Sequence, residues 1–521
     1  MPDRHSFGEI HLDVTAGGEK VEAKPGSETP FCVAILGDFT GRGNRQLMEI
    51  GEAVANRRAT LIDRDNFDSV FAKMAPHLEF SMGGKGGYPI ILKFTDLEDF
   101  HPDNLFRRVQ LFQKLRDTRE KLSNPETFAA TAGELGIRAT PPVAAPAPGE
   151  TKRDASADVQ QAISGNFLDQ MLEETERKAD EPRSSRIPDP WTSFVRGIIA
   201  PHIVPKADPR QAEALGLIDL ATSAQMSALL HLPAFQALES AWRAVFFLTR
   251  NLETNSRLKL MLIDVSKEEL AQDLASSQGI TSSGTYRLLV EKSVGTPGAE
   301  PWAILAGNYT FNSSREDAEL AGRMAKVAAR AGAPFLAGAN PNLLGCDSIA
   351  DLPDRRQWTK PLAPEAATAW KAVRGLPEAR FVGLTLPRFL IRLPYGKETE
   401  STELFDFDEM PDTDAHEDYL WANPAFAATL LLAQTFTQQG WELRPGTLAE
   451  IAGLPIHIYT VEGESRTKPC AEVLMTQTSA EEMIEKGFMP LASLKDQPVI
   501  RLVRFQSLAD PPSALAGRWS L

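Results

Sequence analysis

The stretch Trp302-Ala-Ile-Leu-Ala-Gly-Asn-Tyr309, with Asp317–Arg330 and Pro334-Phe-Leu-Ala-Gly338 behind it, decides the fold. The first piece is an apolar run ending in Gly307-Asn308, which reads as a buried strand. The second has helical spacing, and the third opens another apolar run. Strand, helix and strand in that order predict a parallel βαβ unit, so the class is α/β (α+β mixed), with mixed sheets flanked by helices.

Working outward, Phe31–Leu36 is another continuous apolar run, closed by Gly37-Asp38, and predicts a fully buried strand. Further strands are predicted at Leu78–Phe80, Ile90–Phe94, Leu258–Val265, Tyr286–Lys292, Phe381–Leu386 and Val499–Phe505. Helices are predicted over Asn66–Ala75, Pro102–Leu122, Asp219–Leu230, Pro233–Leu248 and Phe426–Phe436. In Pro233–Leu248 the apolar stripe is Phe235, Leu238, Trp242, Val245 and Phe246.

Two segments stand apart from this dense pattern. Residues 7–14 alternate, with Ile10, Leu12 and Val14 on one side and His11 and Asp13 on the other. That is a strand with one face to bury, able to pair locally or to be lent to a neighbour. Residues 139–157 are rich in Pro and Ala and lack periodicity, so they predict a flexible tether. Val159–Arg177 follows as an amphipathic helix with Ile163, Phe167, Leu168, Met171 and Leu172 on its apolar side. A second break, residues 179–188, isolates it from the rest.

Composition narrows the function. The chain has 521 residues, enough for several domains. Its longest apolar stretches fall short of the roughly 20 residues a membrane span needs, and no secretory signal opens it. These features predict a cytoplasmic protein without membrane insertion. The net charge of −15 and the absence of a dense Lys/Arg cluster argue against a nucleic-acid partner. Cys32, Cys346 and Cys470 lack metal or redox spacing and read as buried thiols.

No phosphate loop, His-Glu-x-x-His pair or Gly-x-Ser-x-Gly elbow occurs. No catalytic residue, metal site or cofactor is therefore expected. The acidic stretch Phe405–Glu409, with Asp412, Asp414, Glu417 and Asp418, reads as a solvated loop or docking patch rather than a cation site. Arg388 and Arg392 lie in the apolar setting Pro387-Arg-Phe-Leu-Ile-Arg-Leu-Pro394. They read as arginines that satisfy carboxylates inside a fold or interface.

Two sets of motifs carry a resemblance. Ile10–Val14, Pro30-Phe-Cys-Val-Ala-Ile-Leu-Gly-Asp-Phe-Thr-Gly-Arg42, Asp65–Asp68 and Phe100–Leu105 resemble the small contractile-sheath subunit of type VI secretion systems (TssB, VipA-like). Leu238-Glu-Ser-Ala-Trp-Arg243, Asp264–Leu270, Leu384-Thr-Leu-Pro-Arg388 and Tyr419-Leu-Trp-Ala-Asn423 resemble the large subunit (TssC, VipB-like), and further blocks continue in order to Gly487-Phe-Met-Pro-Leu491. The implied organisation is a small-subunit region at 1–132, a linker at 133–158, a helix and second linker at 159–188, and a large-subunit region at 189–521. The last is shortened at its C-terminus relative to the family, whose helical C-terminal region normally continues past that block.

The resemblance implies two halves intertwined into one protomer and a structural rather than enzymatic role. The protomers would polymerise as a homo-oligomeric helical sheath around an Hcp-like inner tube, attach to a baseplate, and contract to propel the tube. Ile10, Leu12 and Val14 would form the strand that links protomers. Phe167, Leu168, Met171 and Leu172 would mark the helix recognised by the AAA+ unfoldase ClpV. The alternative reading is a non-contractile adaptor or baseplate-associated relative.

Overall fold

In the computed structural model, residues 25–82, 88–136, 210–275, 279–411, 415–461 and 463–520 are described. The strand expected at Ile10–Val14 and the helix expected at Val159–Arg177 lie outside them. The first region contributes β1 (Phe31–Gly37), α1 (Glu52–Ala55), β2 (Thr60–Ile62), α2 (Phe67–Met74), the hairpin β3 (His77–Met82) and β4 (Tyr88–Lys93), and helices α3 (Pro102–Arg108), α4 (Gln110–Ser123) and α5 (Pro125–Glu134). The second begins with α6 (Arg210–Leu230) and α7 (Pro233–Asn251). It continues through β5 (Leu258–Asp264), α8 (Lys267–Leu274), β6 (Trp302–Phe311), α9 (Arg315–Ala331), β7 (Phe335–Ala339), α10 (Pro364–Arg374) and β8 (Val382–Leu386). After these come β9 (Phe389–Leu390), β10 (Trp421–Ala422), α11 (Ala425–Gln439), β11 (Glu450–Ala452), β12 (His457–Val461), β13 (Glu464–Lys468), α12 (Gln477–Glu485), β14 (Phe488–Ser493) and β15 (Val499–Leu502).

Among the described residues the central sheet has nine strands, in the order β11-β15-β14-β8-β7-β6-β1-β5-β2. Its middle is parallel: β6, α9 and β7 form the predicted βαβ unit, and β7 pairs with β8 in the same sense. β1 lies parallel between β5 and β6, with Ile35 opposite Leu262 on one side and Ala306 on the other. A strand from residue 35 is therefore filed between two strands more than 220 residues later.

Burial explains the unbroken apolar run of β1. Phe31, Val33 and Ile35 point into one core layer with Trp242, Leu260 and Phe436. Cys32, Ala34 and Leu36 point into the other, with Leu305, Met324 and Phe335. A strand covered on both faces needs apolar residues at every position, not at alternate ones.

Three local expectations change. Tyr286–Lys292 is not a strand: Gly284–Tyr286 and Arg287–Glu291 form a widened helical turn. Asp273 holds Gly284 N at 3.1 Å and Thr285 N at 2.7 Å, and the Ser283 hydroxyl accepts from Tyr286 N, so the chain enters in helical geometry despite its β-branched and apolar content. The single helix expected over Pro102–Leu122 breaks at Val109, which is extended at φ −78°, ψ 125°. The helix expected from Asp219 begins nine residues earlier, at Arg210.

Candidate functional site

The feature that organises the molecule is the seam between its two regions. At the carboxyl end of β1 the chain turns through Asp38–Arg42 and meets the second region at Asp264. That carboxylate accepts from Phe39 N (2.8 Å), Thr40 N (3.2 Å) and Thr40 Oγ1 (2.8 Å). Burial raises the Asp264 pKa, and the Thr40 and Phe39 donors oppose that shift only in part. Trp242 closes the same corner by donating Nε1–H to Phe39 O at 2.8 Å. At the opposite end Trp441 donates to Thr29 O at 2.8 Å.

Beside Asp264 lies a four-member ionic lock. Arg42 approaches the fully buried Glu269 with Nη2 at 2.8 Å, and Arg57 does so at 2.6 Å. Glu49 accepts from both arginines, at 2.6 and 2.9 Å. Glu269 also belongs to the capping box that starts α8, receiving Ser266 N while its own amide donates to Ser266 Oγ. Burial alone would raise the Glu269 pKa, but the hydrogen bonds from Arg57 and Arg42 outweigh it and lower the pKa to about 2. Three of these residues come from the first region and one from the second. Arg42 and Glu269 fall inside the motif blocks Pro30–Arg42 and Asp264–Leu270, yet the sequence assigns no role to any of the four; the Ser266-x-x-Glu269 capping pattern is a further local signal.

Aromatic packing extends the seam. Phe71 meets Trp242 with ring centroids 4.4 Å apart, and Phe100 meets Phe235 at 5.5 Å. Both partners in the second region lie on the α7 stripe, which therefore faces the first region.

Arg392 is buried between two glutamates. Nε reaches Glu239 at 2.8 Å, and Nη1 and Nη2 reach Glu409 at 2.7 and 3.0 Å. Arg243 shares Glu239 at 2.7 Å and donates to the Tyr395 hydroxyl at 2.9 Å. Glu409 is fully desolvated, yet the Arg392 charge and its hydrogen bonds hold its pKa at about 2. Glu239 was detectable as a charge on an otherwise apolar helical stripe, beside Leu238 and Trp242.

Arg388 makes the second clamp. It donates to buried Glu472 through Nε at 2.8 Å and to exposed Glu417 through Nη2 at 2.9 Å. His416, Glu417 and Glu472 come within metal-ligand range of one another. The donor set does not fit a cation, because the Arg388 guanidinium already lies 2.5 Å from Glu472 Oε1. Glu409 thus holds the middle of the acidic excursion and Glu417 its C-terminal end against the body, and Asp103 holds the other end by accepting from Glu403 N and Leu404 N at 2.9 and 3.1 Å. Residues 412–414 of that excursion lie outside the described residues, as do the candidate site residues Ile10, Leu12, Val14, Phe167, Leu168, Met171 and Leu172.

The three cysteines are free and buried; burial pushes the Cys32 thiol up to about 12 and Cys346 to about 11. Among the described residues no single helix is long and apolar enough to cross a membrane.

A fold in which one sequence region completes another region's sheet, with Glu239, Glu269, Glu409 and Glu472 buried in arginine clamps, defines an interlocked two-region building block. Family comparison places it. The chain belongs to the type VI secretion sheath family: residues 212–509 match the VipB (EvpB) tail sheath N-terminal domain and residues 9–132 match the type VI secretion system VipA family. It is 35% identical over 303 residues to type VI secretion system sheath protein TssC1 of Pseudomonas aeruginosa, covering 57% of this chain and 61% of that protein. It is 30% identical over 124 residues to sheath protein TssB1 of the same organism, covering 23% of this chain and 67% of that protein. Relatives of two separate sheath proteins thus lie in one chain, which spans about three fifths of TssC1 and two thirds of TssB1.

Proposed function

We propose that this chain is a structural subunit of a type VI secretion contractile sheath, polymerising around an inner tube and contracting to propel it. The observation that carries the reading is β1 of the VipA-like region lying between β5 and β6 of the VipB-like region. Two sheath-subunit relatives thereby make one brick with fixed one-to-one stoichiometry. Joining them also places them at roughly millimolar effective concentration.

In this reading the role is mechanical and not enzymatic, and the setting is cytoplasmic. The partners are further copies of the chain, an Hcp-like tube and the baseplate. Ile10, Leu12 and Val14 form the linking strand between protomers. Phe167, Leu168, Met171 and Leu172 supply the surface that a ClpV-type unfoldase grips. Arg388 and Arg392 brace the acidic excursion, keeping a rigid surface for lattice contacts. Contraction needs two lattice arrangements of different energy, and rigid bricks let a change at one end propagate.

The test is electron microscopy of the purified chain with and without an Hcp-like tube protein. Hollow helical tubes are the expected product. Discrete small complexes at all concentrations would replace this reading with the non-contractile adaptor.

A further inference from the structure

His231 lies in the turn between α6 and α7, and both of its ring nitrogens face carboxylates of the acidic excursion. Nε2 is 3.5 Å from Glu409 Oε1, and Nδ1 is 3.5 Å from Asp418 Oδ1. The ring is mostly buried, and Nε2 is shut off from solvent without a hydrogen-bond partner. A neutral imidazole carries one N–H and one lone pair. Whichever tautomer it adopts, one nitrogen turns its lone pair toward a carboxylate oxygen. Only the imidazolium, with two N–H groups, serves both acceptors.

The charges around the ring show which contact depends on it. Glu409 is already matched by Arg392, which also binds Glu239; Arg243 and the Tyr395 hydroxyl complete that group. Asp418 has no such arginine. Among the described residues, His231 is the one basic group within ion-pair range of it. Burial raises the Asp418 pKa; His231 opposes that shift, and Glu409 and Glu417 add to it. Glu417 is itself held by Arg388, and His416 by Glu472 at 3.1 Å. Gln236 of α7 donates to Glu417 O at 3.2 Å, which keeps this end of the excursion beside the turn.

We propose that His231 is a proton-operated latch that fastens Glu409 and Asp418, and with them residues 404–411 and 415–419, to the α6–α7 turn. Histidine changes its charge between about pH 5 and 8. On the acidic side of that range the latch is closed, because the imidazolium bridges both carboxylates. It opens as the pH rises, when one contact becomes a lone pair set against an oxygen. This sign is opposite to that of a buried glutamate clamp, which weakens as the pH falls. Arg392 keeps Glu409 in place throughout, so opening frees the Asp418 end first. The excursion is thereby rigid or loose according to pH, in the single chain and independently of sheath formation.

The test is hydrogen–deuterium exchange of the full-length, unassembled chain from about pH 5.5 to about 8, each rate divided by the free-chain rate at the same pH. Protection of residues 415–419 is expected to fall about fivefold across this range, the scale of a weak, partly exposed ion pair. Residues 404–411 should follow with a smaller change, and residues 31–37 should not move, which controls for the fold. His231→Gln is neutral at every pH and should show the low protection throughout. Asp418→Asn changes a side chain at the surface and should also flatten the profile; it decides the matter if the glutamine chain fails to fold. A flat profile in the parent would overturn the proposal, as would a slope that survives both substitutions. A slope kept in His231→Gln but removed by His416→Gln would place the switch at the His416–Glu472 pair, and the proposal would fall.

Discussion

β1 and β4 come from the same first region and have nearly the same length, yet they live in opposite surroundings. Every residue of β1 is buried, and both of its partners belong to the other region. Among the described residues β4 pairs only with β3, and Ile91 on its outer face is 61% exposed. Its free edge is also blunted: Pro89 has no N–H to offer, and Arg108 donates to Lys93 O at 2.8 Å. The hairpin is a local product of its own sequence. β1 has no local partner, so its burial exists only when the second region has folded around it. One strand makes two sequence regions a single cooperative unit.

The same substitution at both strands breaks the comparison most sharply. Ile35→Asp puts a carboxylate into the middle of the sheet without a partner, and a cost of about 4 kcal/mol or more is expected. Ile91→Asp faces water and should stay within about 0.5 kcal/mol of the parent. Denaturant unfolding monitored by tryptophan fluorescence reads both, because Trp242 packs against the first region and Trp441 bonds to it. Proteolysis of the Ile35→Asp chain should release both regions together. Loss of the first region alone would show that the second is self-sufficient.

The ionic lock gives the next largest effect. Glu269→Gln leaves Arg42 and Arg57 with the half-exposed Glu49, the Asp264 carboxylate 3.9 Å from Arg42 and the Asp264 carbonyl 2.8 Å from Arg57, and should cost about 3 kcal/mol. The pH dependence follows from the same geometry. Glu269 and Glu409 titrate at about 2 in the folded chain, below the value of about 4.3 for a free glutamate. Their contribution is complete above pH 4.3 and is lost as the pH falls through this window toward 2. Unfolding free energy should therefore drop steeply on acidification below pH 4.3, and Glu269→Gln should flatten that slope by about 1.4 kcal/mol per pH unit. An unchanged acid limb would show that the lock carries none of it.

Arg392→Met tests the clamp that lies away from the strand seam. Removing the guanidinium leaves buried Glu409 without its arginine and Glu239 with Arg243 alone, so a loss of about 3 kcal/mol is expected, as for other broken buried pairs. The partial remedy is instructive. Adding Glu409→Gln should recover part of the loss, since an uncharged amide is cheaper to bury than a lone carboxylate. If the pair of changes is as harmful as the sum of both alone, the two residues do not act on each other.

How much of this was legible beforehand depends on the range of the interaction. The apolar run Phe31–Leu36 announced a strand buried on both faces, because that requirement is written in consecutive residues. Its neighbours were not legible, since nothing in residues 31–37 names Leu258–Asp264 or Trp302–Phe311 as partners. Arg388 and Arg392 stood out as charges in an apolar setting, whereas Glu269 looked like an ordinary first-turn carboxylate. Its two arginines come from loops more than 200 residues earlier. Tyr286–Lys292 misled for the complementary reason: local strand propensity was overruled by Asp273, which grips the backbone at Gly284 and Thr285.

The smallest effect lies where β1's body hands over to the β3–β4 hairpin. Ala75 ends α2 in the left-handed region, at φ 49° and ψ 58°, and its amide closes the helix on Phe71 O at 3.1 Å. A Cβ is disfavoured in that conformation, and glycine is the usual residue at such a helix end. Ala75 is exposed, so its methyl group contributes little packing to set against the strain. Glycine would in turn loosen the unfolded chain, which offsets part of the relief. The net expectation for Ala75→Gly is a gain of roughly 0.5 kcal/mol, read as a higher denaturant midpoint at unchanged slope. A loss instead would mean that the turn needs the stiffness of alanine to hold the hairpin at its angle to the sheet. The hairpin would then depend on its junction as β1 depends on its neighbours, and the contrast between the two strands would narrow.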